Sequence, residues 1–192
     1  MRTEIVLEEL ALDHAHDIYD LTNANRQYLM KWLPWLDQIN AKDDTKKFIE
    51  TAIEESSSGD ARKFAILYYG AVCGVVGLQQ IDKQHRTAAM GYWLAENFTG
   101  KGIMTDAVTQ VLRVGFDELG LHRIEIRCAV ENIKSRAIPE RLGFINEAIL
   151  RQCEWLYSRY VDHFVYSILE YEFNVEGAGN VTPGTGTSHH RL

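Results

Sequence analysis

Residues 88–107, AAMGYWLAENFTGKGIMTDA, constrain the fold more than any other stretch of this chain. They read as a strand over 88–94, a turn carrying Gly100 and Gly102, and a helix that starts at once. Such a junction binds anions. The first N–H groups of a helix lack intrahelical acceptors, and the aligned peptide dipoles leave partial positive charge there. Glycine at 100 and 102 removes the Cβ atoms that would hold a diphosphate off those N–H groups, and opens backbone angles closed to other residues. Lys101 between them adds a cation.

Spacing decides among the phosphate loops. A Walker loop needs Gly, four residues, then Gly-Lys-Ser/Thr, but position 95 is Ala and position 102 is Gly. A dinucleotide fingerprint needs a third glycine where Thr105 stands. What remains is a polar residue, two others and then Gly-x-Gly, after a strand ending in Tyr-Trp-Leu. For the tripeptide alone, a tight turn without a ligand is the plainer reading.

The longer stretch GYWLAENFTGKGIMTDA resembles the acetyl-CoA loop of the GNAT acetyltransferase superfamily, and in particular its RimL-type branch, the ribosomal-protein N-acetyltransferases. CAVENIKSRAIPERLGF at 128–144 is similar to the branch's second motif, an Asn three residues before a Ser and a short helix ending in Gly-Phe. NRQYLMKWLPW at 25–35 and residues 154–166 extend the likeness to roughly residues 1–173. The sequence departs at Asn97, where the superfamily loop usually opens with Gln or Arg, so the likeness there rests on the backbone.

The resemblance implies a mixed α/β (α+β) fold: a twisted, mostly antiparallel sheet of about seven strands flanked by helices, with one splayed parallel pair. It implies transfer of an acetyl group from acetyl-CoA to a primary amine by direct attack in a ternary complex. The acceptor expected is the N-terminal α-amino group of a ribosomal protein, ahead of a polyamine or antibiotic. The Leu94 N–H would meet the thioester oxygen. The backbone of Gly100, Lys101, Gly102, Ile103 and Met104 would hold the pyrophosphate, with Trp93 and Thr99 beside them. Asn132 aligns with the amide that bonds the pantetheine arm, Ser135 with the partner of the departing thiolate, and Glu154 with the general base. Trp32 and Trp35 would wall the acceptor site, Asp162 would help bind the amine, and the protein would form a homodimer.

Each of these residues also has a plainer reading. Asn132 suits a strand-ending turn, Ser135 the cap of a helix from 136, and Glu154 a solvated strand end. Two tryptophans around Pro34 suit a staple onto the core. The chemistry makes modest demands. A free thiol has a pKa of ~8.5 and an α-amino group ~7.7–8.0, so the thiolate leaves readily and part of the amine is already neutral near pH 7. One hydroxyl and one carboxylate suffice. A coenzyme-A-binding module without catalysis and a nucleotide-dependent oxidoreductase are the competing classes; the first would tolerate loss of Ser135 and Glu154.

Composition narrows the partners. With 192 residues, 46% of them hydrophobic, the chain can bury one core, assigned to a single domain at 1–173. The last stretch, NVEGAGNVTPGTGTSHHRL at 174–192, has little to bury and reads as a flexible or vector-derived tail. A net charge of −7 without any Lys/Arg cluster excludes nucleic acid as the expected partner and suits a cationic acceptor. No apolar run approaches the ~20 residues that cross a bilayer, and the N-terminus lacks signal-peptide character, so no membrane partner and a cytoplasmic location are expected. Cys73, Cys128 and Cys153 are scattered and read as reduced thiols. His14, His16, His85, His122 and His163 lack metal-site spacing, while His189 and His190 fall in the tail, so no metal is expected.

Periodicity supplies the remaining elements. A strand over 4–8 precedes a helix capped by Asp13, with Ile18, Leu21 and Leu29 inward. Asp43 or Asp44 starts a second helix carrying Phe48, Ile49, Ala52 and Ile53, which SSSG ends. Strands at 64–68 and 72–81 form a hairpin about Tyr69-Gly70 and lead into 88–94. After the glycine turn, a broadly apolar helix runs to Gly120, and the strand at 124–128 should return parallel to 88–94 by the right-handed crossover rule. A helix over 134–142 and strands from 144 to 150 and 161 to 169 complete the chain.

Overall fold

The computed structural model describes residues 5–173. The proposed tail at 174–192, with His189 and His190, lies outside them. Seven strands form one sheet: β1 Ile5–Glu9, β2 Arg62–Tyr68, β3 Ala71–Asp82, β4 Thr87–Leu94, β5 Arg123–Ala129, β6 Ile145–Leu156 and β7 Arg159–Leu169. Their spatial order is β1-β2-β3-β4-β5-β7-β6, and every neighbouring pair is antiparallel except β4 and β5. The expected mixed sheet with one parallel pair is therefore present.

Helices cover both faces because the strands alternate. Odd positions such as Ala65, Val75 and Trp93 pack under α1 (Ala15–Ala24), α2 (Arg26–Leu29) and α3 (Lys42–Ser58). Even positions such as Ile66, Val76, Met90, Ile124, Ile126 and Tyr166 pack against α4 (Ile103–Arg113). α4 buries Ile103, Met104, Ala107, Val108, Val111 and Leu112, a stripe at helical spacing that faces the sheet and approaches β3 and β1. α5 (Ile133–Arg141) lies beside it.

Several boundaries differ from the sequence expectation, each for a local reason. Asp13 does not cap α1: it sits in a tight turn, Leu12–His14, in which the His14 ring accepts the Ala11 N–H at 3.1 Å, and α1 begins at Ala15. The helix expected to reach Leu29 breaks at Asn25, so Leu29 belongs to α2. The Arg26 guanidinium then ties this corner to the carbonyls of Leu36 and Ile39. Asp44 secures α3 from within its first turn, accepting the N–H groups of Asn40 and Ala41 at 3.0 and 2.9 Å. Beyond α4 the chain continues through a wider helical turn, Val114–Glu118, before Gly120 at φ +61° reverses it.

The opening of the sheet positions the site. β4 and β5 pair only from Thr87↔Arg123 to Met90↔Ile126, although β4 runs on to Leu94 and β5 to Ala129. From there β4 stays with β3 and β5 stays with β7, so the sheet parts as a wedge. Gly74 keeps β3 against the free end of β4; a Cβ there would collide with the Trp93 carbonyl oxygen.

On the β5-β7-β6 side an ion pair joins neighbours across the sheet. Glu147 accepts two bonds from Arg123, at 2.7 and 2.6 Å, and one from Ser167 at 2.7 Å, which hold its carboxyl down at about 2. A depressed carboxyl pKa adds stability that is present above the ordinary value of 4.5 and fades as pH falls towards 2. Melting curves at pH 6 and pH 3 should therefore show a smaller acid-induced drop in Tm for Glu147→Gln than for the wild type. Equal drops would remove this pair from the acid response.

Candidate active site

The glycine turn presents its backbone as expected at its centre and less so at its edge. Phe98 and Thr99 donate their N–H groups to Ala95 and Glu96, at 3.0 and 3.1 Å. From Gly100 to Thr105, none of the N–H groups finds an acceptor among the described residues, and the first α4 bond runs from Asp106 to Gly102 at 3.0 Å. Gly100 and Gly102 stand at φ +76° and +79°, with no atom within 4 Å of where a Cβ would be. The turn is a bare cradle of N–H groups at the positive end of α4.

That cradle opens into the wedge. Ala95 donates its N–H to Cys73 on β3 at 3.0 Å. N–H directions alternate along a strand, so the Leu94 N–H points the other way, into the gap left by β5. A cleft of about 650 Å³ follows the wedge between α2 and α5, and its walls include Trp93, Leu94, Thr99, Gly100, Gly102, Ile103, Met104, Asn132, Ser135 and Trp32.

At the wedge, Asn132 caps α5 by accepting the Ser135 N–H on Oδ1 at 3.2 Å. Ser135 is thus inside the first turn rather than its cap, and its hydroxyl lies 3.3 Å from both Cys128 Sγ and Tyr92 Oη. Tyr92 in turn donates to the Ser135 carbonyl at 3.0 Å. Burial pushes the Tyr92 phenol well up and the Cys128 thiol up as well, so both keep their protons. The floor of the wedge is an uncharged cluster of O–H and S–H groups.

A carrier with a diphosphate, a long amide-bearing arm and a sulfur end fits a bare N–H cradle that leads to an open strand edge and a hydroxyl. A family model described as an acetyltransferase (GNAT) domain matches residues 4–145. The chain belongs to the GNAT acetyltransferase family. A putative ribosomal N-acetyltransferase of Bacillus subtilis (strain 168) is 34% identical over 90% of this chain and 94% of its own. The ribosomal-protein-serine acetyltransferase of Escherichia coli (strain K12) is 30% identical over 84% and 90%. Among solved structures, the microcin C7 self-immunity acetyltransferase MccE, in complex with acetyl-CoA and AMP, superposes with a TM-score of 0.82 at 35% identity, covering 86% of this chain and 92% of that one. This GNAT protein is accordingly an N-acetyltransferase of the RimL-like branch, and acetyl-CoA is its co-substrate.

Four of the residues singled out in the sequence lie off the walls of this GNAT cleft. Trp35 stacks on Phe48 at 6.3 Å and packs in the core under α1 and α3. The Lys101 ammonium lies over the rings of Tyr68 and Phe98, at 6.0 and 5.4 Å. Asp162 accepts the N–H of Gln152, which stands at φ +50° in the irregular part of β6. Glu154 bonds the His163 ring at 3.2 Å. His163 is paired with Ala129 at the end of β5, which puts the carboxylate–imidazole pair on the strand end that borders the wedge. The contacts of these four residues cross between elements or around a turn, so strand and helix spacing alone carries no trace of them.

Sequence reasoning also misses wall residues. Tyr92 reads only as part of a strand, although its alternation with Met90 and Leu94 places it on the α4 face. Tyr28 and Lys134 meet across the cleft, ammonium over ring at 5.5 Å, and Arg141 reaches Thr105 at 2.9 Å. No group of three or more His, Cys, Asp or Glu side chains suited to a metal ion occurs among the described residues, and no described helix is long and apolar enough to cross a membrane.

The thiols offer a direct check on this geometry. Cys73 is fully buried with its thiol pushed up to about 11, Cys128 is buried at the wedge floor, and Cys153 is exposed. Brief iodoacetamide treatment of the native protein at neutral pH should label Cys153, with Cys73 and Cys128 reacting after unfolding. Mass spectrometry of the peptides reads the order, and prompt native labelling of Cys128 would contradict the closed floor.

Proposed function

We propose that this enzyme acetylates the N-terminal α-amino group of a protein, a ribosomal protein by analogy with its relatives, through direct attack in a ternary complex. The observation that carries the reading is the run of unbonded N–H groups from Gly100 to Thr105 leading into the wedge. The protein acceptor is favoured over a polyamine by the ribosomal names of the relatives at 34% and 30% identity. A ribosomal acceptor also places the reaction in the cytoplasm. A homodimer belongs to this reading, with the exposed Ile145 and Ile149 of the β6 edge as the surface to be covered.

In this mechanism the N–H groups of Gly100, Lys101, Gly102, Ile103 and Met104 take the diphosphate, and Trp93 and Thr99 flank it. Asn132 has Oδ1 committed to the Ser135 N–H, which leaves its Nδ2 for a carbonyl of the pantetheine arm. The Leu94 N–H polarises the thioester oxygen. The amine attacks the carbonyl carbon, the N–C bond forms, and the C–S bond breaks with its electron pair on sulfur. Ser135 donates a hydrogen bond to the departing thiolate. The surplus proton on nitrogen passes to Glu154, directly or through a water, with His163 fixing the carboxylate. Trp32 walls the acceptor side, Trp35 backs it through Phe48, and Asp162 shapes the β6 irregularity beside it.

Purified enzyme with acetyl-CoA should release free thiol with peptides bearing ribosomal-protein N-termini and little with spermidine; the reverse preference would overturn the acceptor assignment. Gly102→Val should weaken acetyl-CoA binding by about ten-fold or more in calorimetry, since a β-branched residue at positive φ is strained and its methyls crowd the cradle. Glu154→Gln should lower kcat by about 10²-fold or more while leaving acetyl-CoA affinity in place, and an unchanged rate would remove Glu154 from the mechanism.

A further inference from the structure

α5 contains a proline at 139, inside the helix rather than in its first turn. Proline has no N–H, so the carbonyl four residues earlier loses its helical donor, and that carbonyl belongs to Ser135. The vacancy is filled from the sheet: Tyr92, on the free end of β4, donates its hydroxyl to Ser135 O at 3.0 Å. With its only proton committed there, the Tyr92 oxygen is left as an acceptor, and it takes the Ser135 hydroxyl at 3.3 Å. Two atoms of one residue on α5 are therefore clamped by one phenol on β4, across the mouth where the strands have parted. Cys128 Sγ, 3.3 Å from the same hydroxyl, closes the third side.

We propose that Tyr92 is the positioning residue for Ser135, and that Pro139 is the device that recruits it. The proline keeps the Ser135 carbonyl free, the phenol binds it, and the hydroxyl is thereby held at the wedge before any substrate arrives. When the C–S bond breaks, the Ser135 O–H turns about its C–O bond from the phenol oxygen to the sulfur, with no change in side-chain rotamer. No proton is lost from Tyr92 or Cys128. The arrangement supplies a preorganised donor at the point where negative charge develops. This inference rests on the acetyl-transfer reading above, and specifically on Ser135 as the partner of the thiolate.

The test separates support for a helix carbonyl from positioning of a hydroxyl. Tyr92→Phe should lower kcat at least about ten-fold, as misplaced groups in a preorganised site do, with the KM for acetyl-CoA nearly unchanged and Tm reduced. In Ser135→Ala, adding Tyr92→Phe should cost no further kcat. Adding Pro139→Ala to Tyr92→Phe restores a backbone donor to the Ser135 carbonyl, so the double variant should regain Tm but not kcat. Recovery of both would overturn the proposal and leave the phenol a purely structural donor; so would an additional kcat loss of Tyr92→Phe in the Ser135→Ala background. Calorimetry with acetyl-CoA on every variant counts folded sites, which keeps the comparison valid where a variant is less stable. A wild type that turns over while Ser135→Ala is as fast removes the thiolate role of Ser135 and this inference with it. If Ser135→Ala is slow and Tyr92→Phe is fast, only this inference fails.

Discussion

The site depends on a parallel strand pair that stops too soon. β4 and β5 share a ladder for only part of their length, and beyond Met90 and Ile126 the backbone groups on the sides that face each other have no partner strand, while β3 and β7 still pair the outer sides. A sheet interior does not leave such groups idle without cost; a buried unpaired N–H is worth about 1–3 kcal/mol. Here they face a cleft, where water or an amide-bearing substrate arm takes the place of the missing strand. The separation is set by the segments into which the two strands run. β4 passes into the glycine turn and α4, β5 into the Asn132 cap and α5, so two helix N-termini converge on the mouth of the wedge. Arg141, at the far end of α5, is bonded to Thr105 in the first turn of α4, a side-chain link between the two helices.

The sequence carried the frame of this arrangement because its signals are local. Alternation over 64–68 and 88–94, two glycines that adopt positive φ, and a helical stripe from Ile103 to Leu112 each depend on neighbours a few residues away. What it did not carry depends on partners far along the chain. Trp35 fits its plainer reading, a staple onto the core, with Phe48 stacked on it; the Lys101 ammonium lies over Tyr68 and Asp162 accepts the Gln152 N–H, contacts that the spacing does not show. The break at Asn25 escapes for a different reason: residues 18, 21 and 29 continue one apolar face, and only the Arg26 bonds to Leu36 and Ile39 show why the chain turns. The helix expected over 134–142 is present with Pro139 inside it, and the spacing gives no sign that a phenol on the sheet replaces the donor the proline lacks.

In the proposed mechanism the chemistry of the wedge is matched to its leaving group. A thiol near pKa ~8.5 departs as an anion that needs limited stabilisation, so neutral donors are enough. The structure supplies a neutral donor there, the Ser135 hydroxyl, beside a phenol whose proton is committed to the Ser135 carbonyl and a thiol, with burial holding both protonated. Charged groups stand at the rim instead, where Lys134 and Arg141 are exposed and Asp106 is half-buried, so solvent screens them. That division keeps desolvation penalties low at the reacting atoms and leaves long-range attraction to the entrance.

In the proposed reading the acceptor wall is built on a different principle from the cofactor side. Residues 30–39 hold little regular helix, yet they are tied at several points: Arg26 to the Leu36 and Ile39 carbonyls, Tyr157 from the β6–β7 turn to the Leu33 carbonyl at 2.7 Å, and Trp35 to Phe48. Side chains such as Trp32 project from a segment whose backbone is pinned by other parts of the fold. Changing them alters what fits without disturbing the wedge, because no strand pairing or helix cap runs through them. On that reading, a fixed carrier site and a replaceable acceptor wall are separate parts of the fold, which lets one frame serve acceptors of different chemistry.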